Sequence, residues 1–255
     1  MTSDRLTGRC ALVTGAASGI GEATARRLAE EGADVIVADV DEAGAHRVAT
    51  QIHGTPWVVD LLDSVALADD VLAQRLGNVD ILVNNAGIQR VSPIQDFDPA
   101  TFQQMVRLML EVPFLLMRAA LPGMYERGFG RIINITSVHG LRASPFKSAY
   151  VAAKHGLEGL SKVAALEGGP HGVTSNCVSP GYVLTPLVEK QVVAQSQAHG
   201  IPVEEVMERI MLTQSAIKEF IEPGEVAALV AWLASDEARM VTGASYTMDG
   251  GWSAH

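Results

Sequence analysis

Cysteine is scarce in this chain: only Cys10 and Cys177 occur among 255 residues. Both fall in apolar runs that read as core strands. The pair is therefore expected to be buried free thiols of a cytoplasmic protein, not a disulfide framework or a metal site. Positive charge is also short. Lys and Arg number 19 against 29 Asp and Glu, a formal net charge of −10. That balance argues against a nucleic-acid partner and against an anionic membrane surface. No hydrophobic run is long enough to span a bilayer, and Met1–Arg9 shows no secretory-signal pattern. Aromatic residues make up only 5% of the chain, yet hydrophobic residues make up 48%, enough for a sizeable core. There is no internal repeat, low-complexity segment or linker, and the length suits one large α/β domain over residues 1–255.

What is present is an alternation of short apolar strands with helical patterns, which predicts a parallel, doubly wound α/β sheet. Strands are expected over Cys10–Val13, Asp34–Asp39, Thr55–Asp60, Asp80–Val83, Arg131–Thr136, Val173–Val178 and Ala244–Met248. The first runs into Thr14-Gly15-Ala16-Ala17-Ser18-Gly19-Ile20-Gly21 and then into a helical pattern to Glu31. A strand, a glycine-rich turn and a helix start make an anion site: the backbone can approach a pyrophosphate, and the helix end offers free N–H groups. The second strand ends in Asp39, about 20 positions after the glycine loop. A carboxylate there can accept both ribose hydroxyls of NAD and would repel the 2′-phosphate of NADP. Its alternative role is to cap the helix Glu42–Ala49, a job that Asp41 can do. The fourth strand leads to Asn84-Asn85-Ala86-Gly87, whose small residues leave room for a cofactor, or which form an ordinary turn. Thr101–Arg127 reads as a long helix that Pro113 should kink. Residues 183–222 fit no strand and carry broken helical patterns around Leu187–Gln197 and Val203–Leu212. A long excursion at a strand's C-terminal end reads as a substrate lid. Pro223–Ala234 is expected to be a helix.

The chemistry is concentrated between Arg131 and Lys154. Ser137 follows a strand, where ligands bind in open α/β sheets. Tyr150 and Lys154 are four residues apart on a predicted helix, so they share a face. The lysine cation is expected to lower the phenol pKa, letting Tyr150 exchange a proton with an alcohol or carbonyl near neutral pH. Ser137 can hydrogen-bond the same substrate oxygen. Taken alone, Tyr-x-x-x-Lys could equally be an incidental aromatic and a surface lysine.

The spacing Gly-x-x-x-Gly-x-Gly preceded by Thr, together with Asn-Asn-Ala-Gly and Ser137, Tyr150 and Lys154, resembles the short-chain dehydrogenase/reductase family over nearly the whole chain. The resemblance implies a single Rossmann-type domain and a homo-oligomer, a tetramer. It implies NAD held by Gly15, Ser18, Gly19, Ile20 and Gly21, by Asp39, by Asp60 and Leu61 beside the adenine, and by Asn85, Ala86 and Gly87 near the nicotinamide ribose. Tyr150, Lys154, Pro180, Gly181, Val183 and Thr185 complete the implied cofactor contacts. Asp60 could otherwise simply start a turn.

Arg131–Leu157 and Pro180–Gln191 resemble family members that interconvert (R)-3-hydroxybutyrate and acetoacetate. That resemblance implies a hydroxy-acid carboxylate held by Gln89, His139, Lys147 and Gln191, with Ser137 and Tyr150 on the reacting oxygen. Burying an anion requires such donors. Each has a plainer reading: His139 as a donor within its loop, Lys147 as a solvated lysine, the two glutamines as surface amides. Arg90 and Arg142 are near enough in sequence to share the clamp. Tyr182 stands where that pattern has tryptophan, and it and Trp252 are expected to form apolar walls. Met109 stands where many relatives carry asparagine. Pro113 cannot donate to its carbonyl, which is expected to be free to hold a water. A dehydrogenase for another small alcohol, and a non-catalytic NAD-binding protein, remain alternatives.

Overall fold

The computed structural model describes residues 4–63, 65–185, 188, 192, 196 and 200–254. Seven parallel strands form one sheet: β1 (Cys10–Thr14), β2 (Asp34–Asp39), β3 (Thr55–Val58), β4 (Ile81–Asn84), β5 (Gly130–Ile135), β6 (Val173–Pro180) and β7 (Ser245–Met248). Their spatial order is β3-β2-β1-β4-β5-β6-β7, so the chain reverses direction across the sheet after β3. The gap between the ends of β1 and β4 is the place where such sheets bind ligands.

Alternation along each strand divides the core. Ala11 and Val13 of β1 join Val35, Val37, Ile81 and Val83 on one face, beneath Ala25 and Leu28 of α1 (Gly19–Glu30), Val48 of α2 (Glu42–Gln51) and Val226 and Val230 of α7 (Pro223–Ala234). Leu12, Leu82 and Ile132 point the other way. They meet Leu72 and Leu76 of α3 (Asp69–Leu76), Leu116 and Ala120 of α5 (Val112–Arg127) and Leu157 of α6 (Ser148–Gly168). A strand covered on both faces has no polar side to show, so its sequence reads as a continuous apolar run.

The doubly wound sheet agrees with the expectation, with shifts at strand ends. β3 stops at Val58 because its neighbour β2 ends at Asp39, the residue paired with Val58. β6 instead runs on to Pro180, since β7 pairs with it through Met248. Helix α3 was not expected. The expected long helix is three pieces: α4 (Pro99–Val106), a wide π turn over Arg107–Glu111, and α5. In the turn the Val112 N–H reaches back to the Arg107 carbonyl, so the missing N–H of Pro113 is accommodated by widening the helix there. Pro122 sits inside α5 without ending it. Both cysteines are free; Cys177 is buried and Cys10 half-buried. Residues 183–222 are tied at their ends by a parallel bridge between Val183 and Ile221, and the expected helical pattern near Val203–Leu212 is a short helix at Val203–Val206 that runs into a π turn over Met207–Met211. Among the described residues, no helix is long and apolar enough to cross a membrane.

Candidate active site

A cleft of about 450 Å³ opens over the C-terminal strand ends at the switch point. One end is the glycine loop. Gly15 has a positive φ of 63°, and a Cβ on Gly21 would stand 2.1 Å from the Gly15 carbonyl oxygen. Only glycine lets the loop fold this tightly onto α1. Gly15, Ser18, Gly19 and Ile20 line the cleft, while Gly21 lies behind the loop as its packing residue. This glycine-rich cradle beside a helix N-terminus suits a dinucleotide pyrophosphate.

Asp39 faces the same end. Its Oδ2 accepts from the Ala17 N–H at 2.9 Å and its Oδ1 from the Asp41 N–H at 3.0 Å. It thus ties β2 to the glycine loop and keeps lone pairs for a ribose diol. Asp41, not Asp39, caps α2, accepting from the Gly44 N–H. Asp60 and Leu61 line the adjoining wall, where Asp60 also holds its own turn through the Leu62 N–H. Asn85, Ala86 and Gly87 reach the cleft, but the Asn85 amide nitrogen is engaged. It donates to the Thr14 and Gly15 carbonyls at 2.8 and 3.1 Å, while Thr14 Oγ1 accepts from the N–H groups of Asn85 and Ala86. Asn85 therefore latches β4 to the glycine loop.

Ser137, Tyr150 and Lys154 meet in the cleft. Lys154 is buried, its Nζ donating to the Ile135 carbonyl at 2.7 Å and lying 5.6 Å from the Tyr150 ring centroid. Burial pushes the Lys154 ammonium down to about 8, with Cys177 and Glu158 acting the other way. The expected lowering of the tyrosine by this lysine is not what the geometry gives. Burial raises the Tyr150 phenol, and what opposes it is a hydrogen bond with Ser137.

The substrate end is a tight group. Ser137 Oγ accepts from the His139 N–H at 3.2 Å and lies 3.4 Å from His139 Nδ1. His139 Nε2 is 2.9 Å from Ser144 Oγ and 3.5 Å from Lys147 Nζ. Burial, then the Lys147 charge, brings His139 down to about 3, so it is neutral at physiological pH. Lys147 is buried, not solvated, and burial lowers it to about 8. It lies 5.5 Å from the Tyr182 ring centroid, and Trp252 packs 5.6 Å from the His139 ring. Gln89 lines the cleft, as do Pro180, Gly181, Val183 and Thr185. Gln191 lies outside the described residues. Arg90 and Arg142 do not line the cleft; Arg142 is turned to the Ser253 carbonyl. Ser144 and Glu158 were missed, because their partners come together only through folding.

This arrangement suits a pyridine-nucleotide oxidoreductase, and the chain belongs to the short-chain dehydrogenase/reductase family. The family model described as enoyl-(acyl carrier protein) reductase matches residues 15–253. The chain is similar to the D-beta-hydroxybutyrate dehydrogenase of Cupriavidus necator, 46% identical over 98% of this chain and 99% of the relative. To the protein of that name in Rhizobium meliloti it is 45% identical, over 96% and 99%. Among solved structures it resembles a short-chain dehydrogenase/reductase family protein with a TM-score of 0.87 and 37% identity, covering 98% of this chain and 100% of that one.

Proposed function

We propose that this chain interconverts (R)-3-hydroxybutyrate and acetoacetate with NAD. The observation that carries the reading is Lys147: a buried ammonium inside the cleft that no carboxylate pairs with among the described residues. A buried cation without a countercharge is costly, and an anionic substrate would supply one. Neutral His139 offers a second polar contact, and Gln89 a third. The names of the two bacterial relatives point to the same hydroxy acid.

In oxidation Tyr150 takes the proton of the substrate hydroxyl while Ser137 Oγ hydrogen-bonds the same oxygen; in reduction Tyr150 returns the proton. Lys154, with two ammonium protons left after its bond to Ile135, would hold the nicotinamide ribose. When bound, NAD supplies the hydride acceptor at the nicotinamide. Gly15, Ser18, Gly19 and Ile20 would hold its pyrophosphate, Asp39 its adenine ribose, and Asp60 and Leu61 its adenine. Ala86, Gly87, Pro180, Gly181, Val183 and Thr185 would line the nicotinamide end, with Asn85 shaping the loop behind it. Of the excursion over 183–222, Val183, Thr185, Val188 and Ser215 line the cleft, and the segment would serve as the substrate lid. The reading is tested by NAD reduction with a panel of secondary alcohols and hydroxy acids. Turnover of another substrate with none of 3-hydroxybutyrate would leave the family chemistry standing and remove this substrate.

A further inference from the structure

Glu158 is buried and takes no part in the chemistry above. It lies one turn beyond Lys154 on α6, so Tyr150, Lys154 and Glu158 form a stripe along one helix face. Its Oε1 accepts from Thr136 Oγ1 at 2.7 Å, Ser179 Oγ at 2.9 Å and Ser245 Oγ at 3.1 Å. These hydroxyls sit at the end of β5, in β6 and in β7, three neighbouring strands. Several donors on one oxygen suit a carboxylate, which only accepts.

Helix α6 thus grips the strand ends at two successive turns. Lys154 holds the Ile135 carbonyl and Glu158 holds the hydroxyl of the next residue, Thr136; the residue after that is Ser137. From the other side, Ser179 precedes Pro180, whose carbonyl accepts from Ser137 Oγ at 3.5 Å. The loop after Ser137 presses on the same turn. A Cβ on Gly140 would stand 3.1 Å from Glu158 Cγ and 3.2 Å from the Lys154 carbonyl oxygen.

We propose that Glu158 is a positioning residue for the acid/base pair: it fixes Ser137 against α6 and sets a countercharge one turn from the Lys154 ammonium. The inference rests on the acid/base roles proposed for Tyr150 and Lys154. The groups facing Lys154 are Tyr150 on its own helix, Cys177 from β6 and Glu158. The Cys177 thiol is pushed up by burial and then by Glu158, so it stays neutral and Glu158 is the countercharge.

The test is an NMR titration of the 13C-labelled lysine Cε signals, five in the chain, assigned with Lys154→Met and Lys147→Met. In Glu158→Gln, which keeps the shape and an acceptor oxygen, the Lys154 titration should move down by about one pH unit while that of Lys147 stays. The alkaline limb of kcat/KM for an uncharged secondary alcohol, which Lys147 does not serve, should move with it. An unmoved Lys154 titration overturns the countercharge, whether or not Tm falls. Thr136→Val tests the placement of Ser137, and serves also if Glu158→Gln does not fold. It should lower kcat roughly tenfold, with the Lys154 titration and NADH affinity unchanged; an unchanged kcat overturns the positioning. Because the titration needs no substrate, a wild-type protein inactive on 3-hydroxybutyrate would leave this result readable.

Discussion

Lys147 is the residue on which the substrate reading turns, and burial makes its charge titratable. Burial lowers Lys147 to about 8, so in the free protein it is a cation below that pH and neutral above it. Only the charged form attracts a carboxylate. The ratio of kcat/KM for 3-hydroxybutyrate to that for an uncharged secondary alcohol should therefore fall as pH rises through about 8. The ratio cancels the titration of Lys154, which lies at about the same pH and serves both substrates. Lys147→Ala should flatten the ratio and raise KM for the acid strongly while leaving the neutral alcohol nearly untouched. Equal losses for both substrates would make Lys147 structural. For Tyr150, replacement by Phe should remove turnover by roughly 10²–10⁴-fold with NADH binding kept, since the phenol handles the proton. More than about a tenth of the activity surviving would contradict that role. At this scale the sequence showed which side chains come together better than what surrounds them. Tyr150 and Lys154 are legible from helical spacing, but the raised phenol depends on burial, which depends on every element packed around it.

At the scale of elements, legibility follows locality. The glycine loop, β1 and α1 are contiguous, so their pattern carries their structure. The latch of Asn85 onto Thr14 joins residues 71 apart, and nothing near Asn85 announces it. Helix α3 was missed because Asp69–Leu76 is short and polar at its start, with only Leu72 and Leu76 buried. The π turn before Pro113 was read as a kink, since a proline predicts a lost hydrogen bond but not how the helix absorbs it. Met109 in that turn is buried, and its Sδ would lie 3.3 Å from a Cβ on Gly87. Its side chain packs behind Gly87, which lines the cleft. The tight glycine loop gives a direct stability prediction. Gly21→Ala must displace the Gly15 carbonyl or the Asn85 amide, which a Cβ would approach to 2.1 and 2.6 Å. It should cost about 1–3 kcal/mol, visible as a lower urea midpoint, and should weaken NADH binding. An unchanged midpoint would mean that the loop and its latch are slacker than described.

At the scale of the whole molecule, the sheet order decides where the two halves of the reaction meet. On the proposed reading, the β1–β4 switch point would receive the cofactor cradle from β1, β2 and β4, while β5, α6 and β6, which line the same cleft, would bring the proton chemistry. That architecture was readable from the alternation of strands and helices, because parallel strands need helical crossovers. Cofactor choice follows from the end of β2. Asp39 should favour NAD over NADP by at least about tenfold in kcat/KM, roughly 1.4 kcal/mol. Equal use of both would remove Asp39 from the ribose. The most direct measurement of the central claim is initial-rate NAD reduction by the full chain with (R)-3-hydroxybutyrate, (S)-3-hydroxybutyrate and an uncharged secondary alcohol of similar size. The account predicts efficient turnover of the R acid, with the S acid and the neutral alcohol each at least about tenfold lower in kcat/KM. Turnover of the neutral alcohol as good as that of the R acid would contradict it.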